Sequence, residues 1–133
     1  MGVVAADDQM LYSVGGWYLD FSSLFPVAVA SMERYDACRR QWTGLPPLPE
    51  GRADVAAAMV GGKLYVIGGQ YLDYSDLSLV QSTSVDVFDP ATETWSSAAP
   101  LPMPMAGMAA AAVGGKVYVF GGADEAGVAS ARV

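Results

Sequence analysis

The chain is a succession of short apolar runs punctuated by glycine, proline and acidic turns. One unit shows the pattern in full. Val55 to Val60 reads as a strand of small and branched residues, and Lys63 to Ile67 as a second. Gly61-Gly62 between them suits a two-residue hairpin turn, where positive φ is required. A third strand, Ser84 to Phe88, alternates, with Val85 and Val87 on one side and Asp86 and Phe88 on the other. Asp89-Pro90-Ala91-Thr92-Glu93 is a polar turn. A fourth strand runs from Thr94 through Trp95 to about Ala98, and Pro100 and Pro102 stop it because proline has no N–H for a ladder. The alanines of Ala53 to Val60 favour helix, but the run is short, is flanked by a glycine pair, and recurs beside strand-like neighbours.

The unit repeats. Gly15-Gly16 recurs as Gly68-Gly69 and Gly121-Gly122, and both steps are 53 residues. In the same register Tyr12 matches Tyr65 and Tyr118, Trp42 matches Trp95, and Pro47-Leu48-Pro49 matches Pro100-Leu101-Pro102. Tyr35-Asp36 matches Phe88-Asp89, and the alanines recur as Ala109 to Ala112.

A double glycine, an aromatic-Asp pair and a tryptophan in this order resemble the kelch repeat. One copy has Gly15-Gly16, Tyr35-Asp36 and Trp42; the next has Gly68-Gly69, Phe88-Asp89 and Trp95. The period is close to the roughly 50 residues of kelch repeats. The resemblance implies an all-β fold, a partial kelch-type β-propeller with four-stranded antiparallel blades. Blade one is expected at 1–49, blade two at 50–102, and the first half of a third at 103–133. About ten strands are expected, grouped four, four and two. Val3 aligns with Ala56 and Val133 with Val80, so the chain reads as a fragment of about two and a half repeats. Trp42 and Trp95 are expected to wedge between blades.

Charge and composition narrow the function. The net charge is −7, and the Arg39-Arg40 pair stands alone. Nucleic acid and anionic membranes are poor partners for such a surface. The apolar run from Met105 to Gly115 ends at Lys116, well short of the roughly 18 residues of a spanning helix. There is no histidine and one cysteine, Cys38, which sits beside two arginines. An intrachain disulfide is ruled out, and a cytoplasmic location is the expectation. The pairs Asp7/Asp8 and Asp73/Asp76 read as solvated surface rather than hard-metal ligands.

The resemblance implies a protein-interaction module, the recognition part of an adaptor or substrate receptor, that binds a protein or peptide. No catalytic, metal or cofactor residues are expected. A fragment of a kelch-fold enzyme of the oxidase, epimerase or specifier type, with its active site elsewhere, is the rival. The oxidase type needs two histidines, and this chain has none. The links Trp17 to Ser31 and Gln70 to Thr83 read as the variable part of the frame, and variation on a repeated scaffold marks a binding face. Candidate partner-binding residues are Trp17, Tyr18, Asp20, Arg52, Tyr71, Asp73, Tyr74 and Asp76. Arg52 has two readings: recognition of a carboxylate, or pinning of its own loop. The half blade also predicts self-association through its open strand edge.

Overall fold

A computed structural model describes residues 2–5, 9–124 and 126. The first part of the chain forms β1 (Gly2–Ala5), β2 (Met10–Val14), β3 (Trp17–Asp20), β4 (Phe25–Ala28), β5 (Met32–Asp36) and β6 (Gln41–Leu45). The second forms β7 (Ala56–Val60), β8 (Lys63–Ile67), β9 (Gln70–Asp73), β10 (Ser78–Gln81), β11 (Val85–Asp89) and β12 (Thr94–Ser97). The last two strands are β13 (Ala106–Val113) and β14 (Lys116–Ala123). No helix occurs among the described residues.

Two sheets have four antiparallel strands, β1-β2-β5-β6 and β7-β8-β11-β12, and β13-β14 form a third sheet of two. Register places Leu64 opposite Phe88, and Phe88 opposite Trp95. The first sheet repeats the row as Leu11, Tyr35 and Trp42. The ring pairs Tyr35–Trp42 and Phe88–Trp95 both have centroids 5.1 Å apart.

The core lies between sheets rather than within one. Tyr12, Val14 and Met32 of the first sheet pack with Val55, which leads into β7, and with Leu64, Val66 and Phe88 of the second. Ile67 and Ala56 of the second sheet meet Met105, which leads into β13, and Met108 of the third sheet. The glycine pairs permit this approach. Gly68 has φ +59°, and a Cβ there would lie 2.6 Å from the Met105 carbonyl oxygen.

Three expectations need correction. Trp95 is half-buried and its Nε1 donates to the Pro46 carbonyl of the preceding link, 3.0 Å away. Trp42, in contrast, is 53% exposed, because no sheet covers that face of β1-β2-β5-β6 among the described residues. The strand number also differs. Besides the expected strands, each link between a blade's second and third strand folds into its own hairpin, β3-β4 and β9-β10. The links are therefore ordered arms.

They are not variable either. Tyr18-Leu19-Asp20-Phe21-Ser22 in the first recurs as Tyr71-Leu72-Asp73-Tyr74-Ser75 in the second, and Leu24 recurs as Leu77. The 53-residue register continues through the arms.

Candidate partner-binding face

Strands alternate in direction, so each sheet has two ends. The hairpin arms and the links between sheets share one end. Arg52 N donates to Val29 O at 3.2 Å, Gly16 N to Arg52 O at 3.1 Å, and Ala53 bridges Gln70. The turns 37–40, 61–62, 90–93 and 114–115 lie at the other end.

Each arm is closed by its own aspartate. Asp20 accepts from the Ser22 amide at 3.0 Å, the Ser22 hydroxyl at 2.8 Å and the Ser23 hydroxyl at 2.8 Å. Asp73 accepts from the Ser75 amide at 2.8 Å and the Ser75 hydroxyl at 2.7 Å. These bonds hold both carboxyls below the ordinary aspartate range, with the Ser22 and Ser75 hydroxyls the largest causes. Asp76 plays the same part nearby, accepting from Ser78 N at 3.0 Å.

Asp54 ties the arms to the frame. It stands just before β7 at φ +53°, and its Oδ2 accepts from Trp17 Nε1 at 3.0 Å and Gln70 Nε2 at 2.7 Å. Trp17 and Gln70 are equivalent positions of consecutive repeats, so one carboxylate oxygen holds the root of both arms. The arms also touch each other, since the Tyr74 hydroxyl donates to Pro26 O at 3.0 Å.

The arms carry apolar side chains into solvent. Phe21 is 83% exposed and Leu24 71%, with Tyr18, Leu77 and Leu79 each more than half exposed. Leu24 and Leu77 sit at φ +60° and +59°. Arg40 and Glu93 hold a similar φ in the four-residue turns at the other end, so the turn dictates the conformation. A leucine there is unusual, because its Cβ is crowded in the left-handed region.

Of the residues singled out from sequence, Tyr18, Asp20, Tyr71, Asp73, Tyr74 and Asp76 all lie on the arms. Trp17 is half-buried and committed to Asp54. Arg52 does not belong to the face. It is fully buried, and its Nη1 donates to Gly68 O at 2.7 Å and Ser84 O at 3.1 Å, while Nη2 pairs with the Asp86 carboxylate. Burial lowers its pKa, and Asp86 and Glu50 counter part of that effect. Its guanidinium therefore pins its own loop. Asp7 and Asp8 lie outside the described residues. Asp73 and Asp76 are occupied by turn hydrogen bonds, and no cluster of three or more potential metal ligands occurs among the described residues.

Sequence reasoning missed Phe21, Leu24, Leu77, Leu79, Gln70, Glu50 and Asp54. The recurring Tyr-Leu-Asp-aromatic-Ser string was the available signal for the arms. Nothing local marks Asp54, since the equivalent residue of the next repeat is Gly107.

Residues 51–102 match the Kelch motif family. An F-box/kelch-repeat protein of Arabidopsis thaliana is 38% identical over 120 residues, covering 90% of this chain and 30% of that protein. Kelch-like protein 25 of Xenopus tropicalis is 32% identical over 128 residues, covering 93% of this chain and 21% of its own length. Kelch-like protein 35 of Mus musculus is 36% identical over 120 residues, covering 90% and 19%. The chain thus spans under a third of the curated relatives it matches. The solved structure of YjhT aligns with a TM-score of 0.74 at 26% identity, covering 93% of this chain and 34% of that one. The repeated glycine pairs, the aromatic-Asp and tryptophan row and these likenesses agree, and the chain belongs to the kelch-repeat family.

Proposed function

We propose that this chain is a protein-interaction module whose partner docks on the two hairpin arms. The observation that carries the reading is the pair of exposed leucines, Leu24 and Leu77, presented with Phe21 and Leu79 on anchored hairpins. Exposed apolar groups clustered on one end of a soluble frame mark an interaction surface. The F-box named in the Arabidopsis relative supports the finer reading, the recognition part of an adaptor or substrate receptor. A non-catalytic role fits a chain without histidine and with one cysteine, Cys38, on an exposed turn.

Affinity capture with the wild type and a Leu24→Ser, Leu77→Ser variant tests the reading. Loss of the captured protein in the variant is expected, with an unchanged far-ultraviolet circular dichroism spectrum. Capture that survives this change but is lost on altering the turn from Asp36 to Arg40 places the site at the other end and overturns it.

Self-association is a second reading, favoured by β14. This strand pairs only with β13 among the described residues, and Tyr118 and Phe120 on it are each 41% exposed. An unpaired strand edge recruits another chain. Sedimentation at tens of micromolar is expected to show dimers or larger species that Phe120→Lys abolishes. A monomer throughout counts against it.

A further inference from the structure

The two ends of the sheets differ in their balance of charge: the turn end mixes its cations with Asp36, Asp89 and Glu93, and the end with the arms is acidic. Arg39 and Arg40 lie in the β5–β6 turn, and Lys63 and Lys116 directly follow the glycine turns at that same end. Arg34 is half-buried in mid-strand, and Arg132 lies outside the described residues. On the end with the arms, the only described cation is Arg52, which is buried against Asp86. Asp20, Glu50, Asp54, Asp73 and Asp76 all lie there. That end is anionic as well as apolar.

Between the arms runs a cleft of about 170 Å³, walled by Val27, Ala28, Tyr71, Leu72 and Tyr74. The Tyr74 bond to Pro26 O helps to close it, and Glu50 is the one charged residue that lines it. The volume is below the roughly 300–1,000 Å³ of small-molecule sites. It suits a single long side chain. An aliphatic stem would lie on Val27 and Leu72, its cationic head at Glu50 and within reach of the Tyr71 ring, as lysine and arginine side chains commonly arrange themselves.

We propose that the arms recognise a basic peptide segment, one arginine or lysine of which fills the cleft between the arms and pairs with Glu50. This rests on the reading of the arms as the partner-binding face and adds the chemistry of the partner. Like-charged segments would be rejected by the surrounding aspartates, and attraction would fall with added salt.

Two synthetic dodecapeptides test it, sharing the same leucines and tyrosines, with arginines in one and glutamates in the other at the remaining positions. Titrated into the ¹⁵N-labelled chain, the arginine peptide is expected to shift the amides of Gly51, Tyr71 and Leu72, and the glutamate peptide to leave them in place. Glu50→Gln is expected to weaken the arginine peptide about fivefold, the effect of one partly desolvated ion pair. Equal binding of both peptides, no shift with the arginine peptide at millimolar concentration, or indifference to Glu50→Gln overturns the proposal. The docking reading fails separately. If Leu24→Ser, Leu77→Ser abolishes capture of a protein while Glu50→Gln is silent, the arms bind and the basic partner is wrong. If the leucine changes leave capture intact, the arms themselves are not the site.

Discussion

Arg52, in the link before β7, and Asp86, on β11, form an ion pair inside the second blade, with the guanidinium fully buried. The pair joins a link to the sheet that the link leads into, and the same guanidinium caps the carbonyls of Gly68 and Ser84. The next repeat has Met105 at this position.

Arg52→Met is therefore expected to cost about 3–5 kcal/mol, because it leaves a buried carboxylate without its cation. Adding Asp86→Val removes the orphaned charge, and most of the loss should return. Urea denaturation of the two single variants and the double variant reads the coupling. Additive losses would mean that the pair does not act as a unit.

Trp95 and Trp42 occupy the same place in consecutive repeats but not the same environment. Trp95→Ala removes packing between sheets and the bond to Pro46 O, at about 3–5 kcal/mol. Trp42→Ala loses mainly its contact with Tyr35, about 1 kcal/mol. Equal shifts in the urea midpoint would show that Trp42 is covered as Trp95 is.

These cases show what was legible from sequence. Tyr12, Trp95 and the glycine pairs were readable because each recurs in register, and recurrence marks the places where one sheet meets the next. The strand Lys63–Ile67 was expected at the bounds observed, because glycine closes it on both sides. Burial of Trp42 was not readable, since it depends on a neighbouring sheet and not on the residue. The arms were overlooked because each strand has only four residues and Pro26 falls inside one of them. Arg52 remained ambiguous, because its partner Asp86 is 34 residues away and nothing near Arg52 in the chain marks it.

The arm turns should respond to acid. The pKa values of Asp20 and Asp73 are lowered in the folded chain by hydrogen bonds from Ser22 and Ser75. A carboxyl with a depressed folded pKa stabilises the fold fully above its unfolded value, near 3.8, and loses that contribution as pH falls through the folded value. The amide resonances of Ser22 and Ser75 are expected to hold their positions down to the ordinary aspartate range and to move only below it. Movement near neutral pH would contradict the hydrogen bonding. Asp20→Asn and Asp73→Asn should remove the acid response of their own turn alone.

Asp54 separates backbone strain from hydrogen bonding. Its φ of +53° favours glycine or asparagine over other residues, and Gly107 takes φ +68° at the same position of the next repeat. Its Oδ2 also holds Trp17 and Gln70. Asp54→Asn keeps an acceptor and a side chain tolerant of this conformation, so it should cost little. Asp54→Gly relieves the strain and forfeits both bonds, for a net loss of about 1 kcal/mol. Asp54→Ala forfeits both and keeps a crowded Cβ, so it should cost about 2–3 kcal/mol. In the last two variants the Trp17 indole N–H should exchange faster with solvent while the β7–β8 amides stay protected, because the arms loosen and the sheet does not. Equal losses for glycine and alanine would remove the conformational part of this account. An asparagine variant as weak as alanine would show that the carboxylate charge, rather than an acceptor oxygen, holds the two arms.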